Sequence, residues 1–188
     1  MAPALTYNDR PHLSAVLNSH PDLDHMGGLL YVLRAFSVEH LLDNGREGSG
    51  APGRQWRALR EALHSLPLAR GDVLVLGDPA LGLRLEILHP PRQEQAEWRA
   101  NNASLVARLT CRGRGLALFL GDAERPVLRR LLENGDNLRA EVIVAPHHGS
   151  KTGFLKEFYG AVQPGLVVAS CGFENRYGYP AQRLRAWH

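Results

Sequence analysis

Short apolar runs separated by polar or glycine-rich turns extend along most of the chain. Runs of strand length lie at 13–19, 38–42, 71–76, 83–88, 105–111, 116–120, 142–145 and 166–169. Apolar residues at helical spacing predict helices at 27–36, from Pro52 for about three to four turns, at 124–133, at 154–159 and after Pro180. Residues 1–12 fit neither pattern, and we expect an irregular lead-in there. The order of elements predicts an α/β fold, in which strands 71–76 and 83–88 form a hairpin.

The composition is typical of one soluble domain. The chain has 188 residues, of which 44% are hydrophobic, so it can form a core, and we predict a single domain over 1–188. No apolar run approaches the roughly 20 residues that a membrane span requires. No basic leader precedes an apolar segment, so no signal peptide is predicted. We therefore expect this chain to be soluble as given, and its localisation stays open.

The positive charge is carried almost entirely by arginine. The net charge is +3, and Lys151 and Lys156 are the only lysines. Because arginine forms bidentate pairs with phosphate, a polyanionic substrate is one interpretation, and a codon bias toward arginine is the other. The helix that begins at Pro52 carries a row of arginines, which is either a solvated face or a phosphate-facing rim: Arg54, Arg57 and Arg60.

Four side chains that can bind metal follow the first predicted strand within six positions. His20, Asp22, Asp24 and His25 are separated only by single apolar or proline residues. Carboxylates and neutral imidazoles donate lone pairs to a divalent ion without a large protonation cost at neutral pH. A helix cap, the alternative interpretation, needs one acceptor rather than four groups. The turn therefore predicts a metal site.

Two other strand ends carry groups of the same kind. Asp122 follows strand 116–120, and His147 and His148 follow strand 142–145. Strand ends on the same side of a sheet meet in space, so we predict one pocket holding two ions about 3.5–4 Å apart, with Asp122 bridging them. A helix N-cap at Asp122 and a solvated turn at the two histidines are the alternatives.

Five motifs in order carry a family resemblance: Ser19-His20-x-Asp22-x-Asp24-His25-x-Gly27-Gly28, Asn101-Asn102-x-Ser104-Leu105-Val106, Leu120-Gly121-Asp122, Pro146-His147-His148-Gly149-Ser150 and Asn175-x-Tyr177-Gly178. The chain resembles a metallo-β-lactamase-fold hydrolase. Within that superfamily it resembles the C-terminal hydrolase domain of ComEC-type DNA internalisation (competence) proteins. The resemblance implies an αββα four-layer sandwich. Few residues precede the first motif and few follow the last helix, so we expect the sandwich to be incomplete at its N-terminal and C-terminal edges. The open edges would be covered by a homo-oligomer or a partner chain.

The resemblance also implies a set of metal ligands. His20 and Asp22, helped by Asn102, would bind a first ion. A second ion would be bound by Asp24, His25 and His148, with Asp122 bridging the pair. The oxygen-rich set favours Mn²⁺ as a competitor of Zn²⁺. The expected catalytic groups are Asp24 and Asp122, one or the other of which would orient the water, and His147. His147 would either face the substrate or support the metal ligands from behind.

The activity implied is phosphodiester hydrolysis by a metal-activated water, with DNA as substrate and DNA uptake as the process. The predicted substrate contacts are Ser104, Ser150, Lys151, Asn175 and Tyr179. Tyr179 stands where the family usually has histidine. Two other functions stay open: hydrolysis of a small phosphoester, phosphocholine ester or lactone, and a non-catalytic domain that binds nucleic acid or a partner. The family is membrane-associated, so a parent protein would include a membrane channel domain.

Overall fold

The computed structural model describes residues 12–94 and 97–187. Within them the chain forms two compact units, the first ending at Leu68 and the second beginning at Ala69. Each unit contains one β-sheet. The predicted lead-in at 1–12 lies outside the described residues except for His12. The assignment of residues 1–188 to a single domain stays a prediction.

The first unit is a parallel three-stranded sheet with two crossover helices, which parallel strands require. Its strands lie in the order in which the chain makes them: β1 (His12–Leu17), β2 (Ser37–Asp43) and β3 (Leu66–Pro67). Helix α1 (Leu23–Ala35) joins β1 to β2, and helix α2 (Gly50–Ala62) joins β2 to β3. The unit has its own core around the fully buried Trp56, which packs with apolar side chains of the helices and strands: Val16, Met26, Leu30, Leu33, Phe36 and Leu41.

Helix α1 begins earlier than the predicted start at residue 27. The backbone carbonyl of Asp22 accepts hydrogen bonds from the N–H groups of His25 at 3.0 Å and Met26 at 2.8 Å. These bonds begin the helix at Leu23, so Asp24 and His25 lie in its first turn. A carboxylate in the first turn of a helix is stabilised by the helix dipole. Two members of the predicted metal turn are therefore held on a helix rather than on a free loop.

The second unit is a six-stranded mixed sheet whose strands also lie in sequence order. The strands are β4 (Val73–Val75), β5 (Leu83–His89), β6 (Val106–Cys111), β7 (Arg114–Phe119), β8 (Val142–Val144) and β9 (Leu166–Val168). Strands β4 to β7 are antiparallel, which confirms the predicted hairpin, and β7 to β9 are parallel. The helices are α3 (Arg125–Glu133), α4 (Lys156–Val162) and α5 (Gln182–Arg185).

The register of β7 and β8 brings two predicted motifs to one end of this sheet. Phe119 pairs with Val144, so the segments that follow each strand leave the sheet side by side. The N–H of His147 then donates to the carbonyl of Gly121 at 2.9 Å. Helix α4 begins at Lys156 rather than at the predicted residue 154. Its hydrogen bonds start at the carbonyl of Leu155, which accepts from residues 158 and 159.

The outermost strands of the second sheet expose apolar side chains. On β4, Val73 is 49% exposed and Val75 is 54% exposed, and on β9, Leu166 is 55% exposed and Val168 is 42% exposed. The oligomer or partner chain expected to cover such edges stays a prediction. Among the described residues, every helix is too short or too polar to cross a bilayer.

Candidate metal centre

The first group of candidate ligands lies in residues 20–25 of the first unit, called here the acidic turn. The chain leaves β1, and the N–H of Asn18 donates to the carbonyl of Leu42 at 2.9 Å, which fixes where the turn begins. His20 is only 1% exposed. Ser19 Oγ lies 3.1 Å from His20 Nδ1, so Nε2 is directed away from this hydroxyl. The turn therefore presents a buried imidazole in a defined orientation.

Within the acidic turn each histidine lies next to a carboxylate. His20 Nε2 is 3.7 Å from Asp22 Oδ2, and His25 Nε2 is 3.9 Å from Asp24 Oδ2. The two imidazole rings are 4.2 Å apart between centroids. Two ligands that are each about 2.1 Å from a tetrahedral Zn²⁺ are about 3.4 Å from each other. The spacing within each pair is longer than a hydrogen bond and close to that of two atoms bound to one cation.

A cavity of about 460 Å³ opens beside this turn. Asp22 and Asp24 line it, together with Ser49 and Pro52 around the start of α2. Since both carboxylates are more than half exposed, water or a substrate can reach them. The acidic turn therefore combines a buried imidazole with accessible oxygen ligands.

The second group lies in the second unit, in residues 146–150, called here the paired-histidine turn. Both histidines have left-handed backbone, with φ 50° at His147 and φ 56° at His148. This conformation is uncommon for residues other than glycine, and such strain clusters at functional sites. Here it directs both rings to one carboxylate. His147 Nε2 lies 3.8 Å from Asp122 Oδ2, and His148 Nε2 lies 3.7 Å from Asp122 Oδ1.

The hydrogen bond on the far side of His148 fixes which nitrogen can bind metal. His148 Nδ1 lies 2.9 Å from the carbonyl oxygen of Ser170. A carbonyl only accepts, so Nδ1 carries the proton and Nε2 keeps its lone pair toward Asp122. A metal-binding histidine is oriented in the same way by a carbonyl or carboxylate behind it. His148 therefore fits the ligand role predicted for it.

Glu124 orients His147 through the Nδ1 side of the imidazole ring, a role that was not predicted from the sequence. Glu124 Oε1 lies 3.2 Å from His147 Nδ1, and it accepts a hydrogen bond from the hydroxyl of Thr152 at 2.7 Å. Because a carboxylate only accepts, Nδ1 carries the proton, and Nε2 is free to bind a cation. Asn101 Nδ2 is also near Nδ1, at the longer distance of 3.4 Å. The sequence feature that could have indicated this role is the position of Glu124, two residues after Asp122 at the end of a strand.

Asp122 is held by its backbone and presents one oxygen to each histidine. Its side chain is 6% exposed, and its N–H donates to Ser104 Oγ at 3.0 Å. A carboxylate that shows a different oxygen to each of two imidazoles is suited to binding two cations. The donor set of this unit, like that of the acidic turn, therefore fits divalent metal ions. The bridging role of Asp122 stays a prediction.

Three residues with predicted site roles hydrogen bond with nearby backbone. Ser104 is fully buried against the Asp122 backbone, and Ser150, which is 3% exposed, accepts the N–H of Gly153 at 3.0 Å. Asn102 Oδ1 accepts the N–H of Glu124 at 3.0 Å. These contacts support the turns around Asp122 and His147. The predicted substrate contacts of Ser104 and Ser150, and the metal role of Asn102, stay predictions.

Tyr179 lies beside both histidines, and Lys151 is exposed next to the paired-histidine turn. The Tyr179 ring centroid is 6.0 Å from that of His147 and 6.5 Å from that of His148. Partial burial raises the pKa of the Tyr179 hydroxyl, and the negative charge of Asp122 raises it further. The hydroxyl therefore stays protonated at neutral pH and can donate a hydrogen bond.

The arginine row of the first unit is largely neutralised. Arg57 pairs with Glu47 at 2.6 Å, and Arg60 donates to both oxygens of the buried Asp43. Two of the three arginines are therefore held by local carboxylates. This finding favours a structural and solvated face over a phosphate-facing rim.

Solved structures of similar fold were found among metal-dependent hydrolases. A putative metal-dependent hydrolase from Parabacteroides distasonis has a TM-score of 0.54 at 13% identity, covering 96% of this chain and 75% of that one. Igni18, a metallo hydrolase from Ignicoccus hospitalis, has a TM-score of 0.53 at 16% identity, covering 82% of this chain and 61% of that one. At such low identity the likeness shows the fold alone, and it confirms the predicted fold class.

Curated relatives include Competence protein ComA of Neisseria gonorrhoeae, which is 33% identical over 105 residues, 55% of this chain and 15% of that protein. The chain is 30% identical to ComE operon protein 3 of Bacillus subtilis over 186 residues, which are 98% of this chain and 23% of that protein. It is 26% identical to Recombination protein 2 of Haemophilus influenzae over 171 residues, 89% of this chain and 19% of that protein. The chain thus spans about a fifth of the length of these relatives.

The family model for the metallo-β-lactamase superfamily matches residues 2–165, and the chain belongs to that superfamily.

Proposed function

We propose that this chain is a metal-dependent phosphodiesterase whose substrate is DNA. The observation that carries the proposal is the arrangement around Asp122, a buried carboxylate with one oxygen toward Nε2 of His147 and the other toward Nε2 of His148. Membership of the metallo-β-lactamase superfamily supports hydrolysis as the reaction class. Relatives named for competence and recombination support nucleic acid as the substrate.

The proposed function uses the candidate ligands of both turns. The acidic turn supplies His20, Asp22, Asp24 and His25, and the second unit supplies Asp122 and His148, with Asn102 as a further oxygen donor. Divalent ions bound there would lower the pKa of a water molecule toward neutrality and neutralise charge on a phosphate oxygen. Zn²⁺ and Mn²⁺ both suit this mixture of imidazole and carboxylate groups.

The chain's own side chains then act on the water and the phosphate. Asp24 and Asp122 accept hydrogen bonds from the attacking water and orient it. Glu124 holds the proton on His147 Nδ1 and so keeps the Nε2 lone pair toward the reacting groups. The Tyr179 hydroxyl is protonated at neutral pH, as tyrosine ordinarily is, and donates to a phosphate oxygen. Lys151, exposed beside the histidines, pairs with the charge of the next phosphate.

Cleavage assays with matched variants test the proposal. The chain is stripped with EDTA, reconstituted with Mn²⁺ or Zn²⁺, and given single-stranded DNA, duplex DNA and bis(p-nitrophenyl) phosphate. We expect metal-dependent cleavage of DNA that falls more than about 100-fold in Asp24→Ala and Asp122→Ala. Glu61→Ala, at an exposed site in α2, is the matched control.

Two outcomes contradict the proposal. Equal DNA cleavage by Asp24→Ala, Asp122→Ala and the unchanged chain would mean that the assigned centre does not carry the reaction. Hydrolysis of bis(p-nitrophenyl) phosphate without any cleavage of DNA would assign the chain to the small phosphoesters instead.

A further inference from the structure

Residues 171–180, called here the aromatic loop, expose two large rings next to the paired-histidine turn. Phe173 is 94% exposed and Tyr177 is 62% exposed. Aromatic side chains carry much of the apolar area that folding and binding bury. An almost fully exposed phenylalanine, in a loop whose Tyr179 lies beside both histidines, therefore indicates a binding surface. Arg176 lies between them in the sequence and adds a cation, with its guanidinium carbon 4.8 Å from the centroid of the Tyr177 ring.

The aromatic loop is internally braced, mainly by one side chain. Asn175 Nδ2 donates to the carbonyls of Gly172 at 2.9 Å and Tyr179 at 2.8 Å. Its Oδ1 accepts the N–H of Tyr177 at 3.2 Å and the N–H of Tyr179 at 3.0 Å. These bonds fix the backbone that carries the tyrosines before any ligand arrives. A surface ordered in advance loses less entropy when it binds.

The tyrosine rings of the loop form a stack that begins at His148, one of the candidate metal ligands. Tyr179 stacks on His148 with an interplanar angle of 22°, and Tyr177 stacks on Tyr179 with centroids 5.4 Å apart and an angle of 24°. Two tyrosine rings thus lead outward from a histidine whose Nε2 faces Asp122. A flat group bound at the outer end of this stack would have its neighbouring atoms close to the reacting centre.

We propose that the aromatic loop binds unpaired nucleobases by stacking, so that single-stranded nucleic acid is the preferred substrate. The inference rests on the proposed phosphodiesterase function and adds the form of the substrate. Phe173 and Tyr177 supply ring faces for bases, and Arg176 supplies charge for the intervening phosphate. Base stacking on aromatic side chains tolerates any sequence, because every base has a π-face. A duplex hides those faces in its own stack and cannot use the loop.

The test compares binding of single-stranded and duplex DNA by the same variants. Fluorescence anisotropy is measured with a labelled oligothymidylate and with a duplex of equal length, in Ca²⁺ to limit cleavage. Phe173→Ala and Tyr177→Ala should each weaken single-strand binding about tenfold while changing duplex binding much less. Phe173→Trp and Tyr177→Phe keep a ring and should keep the binding. Tyr31→Ala removes an exposed ring, 59% exposed, on α1 and should change neither affinity.

The binding results test the stacking surface independently of whether the chain hydrolyses DNA. Equal losses on single-stranded and duplex DNA, or no loss on either, overturn the stacking role even if the unchanged chain cleaves DNA. A dimer that Phe173→Ala dissolves, without any effect on oligothymidylate binding, also overturns it and assigns the rings to a protein interface. If no phosphodiester is cleaved but the alanine variants still lose single-strand binding, the proposed function fails while the stacking surface stands.

Discussion

Two carboxylates separated by one residue have different contacts at the paired-histidine turn. Asp122 faces the Nε2 atoms of both histidines, whereas Glu124 contacts Nδ1 of His147 and the hydroxyl of Thr152. The first is suited to bind a cation, and the second to hold an imidazole in one tautomer. Their difference comes from where the backbone places each group and not from their chemistry, which is the same.

Replacing Glu124 by glutamine tests its positioning role. The amide keeps the shape of the side chain but removes the charge that favours a proton on His147 Nδ1. We expect Mn²⁺-dependent phosphodiester hydrolysis to fall about 10- to 100-fold. The metal affinity should stay the same, because His147 is not among the proposed metal ligands. Glu133→Gln, an exposed position at the end of α3, should behave like the unchanged chain. Hydrolysis by Glu124→Gln within twofold of the control would contradict the role.

His89 couples the stability of the second unit to pH. It is 1% exposed, its Nε2 lies 2.8 Å from the carbonyl of Asn102, and its ring packs edge-on against Trp98. Burial lowers the pKa of His89 to about 4. In the unfolded chain the pKa is about 6.5. Between these values the unfolded state binds a proton that the folded state does not, so stability falls as pH falls from 6.5 to 4.

This coupling predicts a pH-dependent difference between the unchanged chain and His89→Gln. Well above pH 6.5 both states carry neutral His89, and the residue adds no pH dependence. From pH 7 to pH 5, the unchanged chain should lose about 2 kcal/mol more unfolding free energy than His89→Gln, which has no group to protonate. Urea unfolding followed by tryptophan fluorescence measures both slopes. Parallel slopes would mean that His89 titrates normally in the folded chain.

At the scale of elements, strand β7 depends on a close approach that only glycine allows. Arg108 on the neighbouring strand has a side chain that is 5% exposed, and its Nε donates to the carbonyl of Arg139 at 3.0 Å. A Cβ atom added at Gly115 would lie 1.9 Å from that carbonyl oxygen and 2.8 Å from Arg108 Nη2. Gly115 therefore leaves room for a buried guanidinium and its backbone partner.

Alanine at two glycines should change stability in opposite directions. Gly115→Ala forces backbone apart, and we expect it to lower the unfolding free energy by about 3 kcal/mol. At Gly160, in the middle of α4, an added Cβ meets nothing within 4 Å. Gly160→Ala should raise the unfolding free energy by about 0.5–1 kcal/mol, since alanine loses less backbone entropy in a helix. Urea titrations give both values, and a neutral Gly115→Ala would contradict the packing described for β7.

The order and type of these elements could be predicted because apolar runs of strand length alternate with glycine- and proline-rich turns. The element boundaries were less predictable. Helix α1 begins at Leu23 because the carbonyl of Asp22 accepts its first hydrogen bonds, and α4 begins after Leu155 for the same reason. Hydrophobic periodicity contains no information about which carbonyl starts a helix, and the apolar spacing indicated a start at residue 27.

The positions of the candidate ligands could be predicted from the sequence, but the orientation of their side chains could not. Histidine and aspartate directly after buried strands are visible in the sequence, and the structure gathers Asp122, His147 and His148 at one end of the second sheet. The left-handed backbone of the two histidines is not visible there. The contact between Glu124 and His147 depends on that backbone, so a residue that looked like an ordinary helix start was missed.

At the scale of the whole molecule, each unit has a core of its own. Trp56 is buried in the first, and a larger cluster that includes Leu118, Ile143 and Phe158 is buried in the second. The candidate ligands are divided between the two units, with the acidic turn in one and the paired-histidine turn in the other. The proposed function requires metal to be bound by the ligands of both turns.

Metal stoichiometry tests that requirement most directly. Native mass spectrometry of the chain, reconstituted with Mn²⁺ or Zn²⁺, counts the bound ions in the unchanged chain, in Asp24→Ala and in Asp122→Ala. We predict two ions in the unchanged chain and the loss of metal in each variant, because each variant lacks a proposed ligand carboxylate. No bound metal in the unchanged chain, or two ions retained in both variants, would contradict the proposed centre.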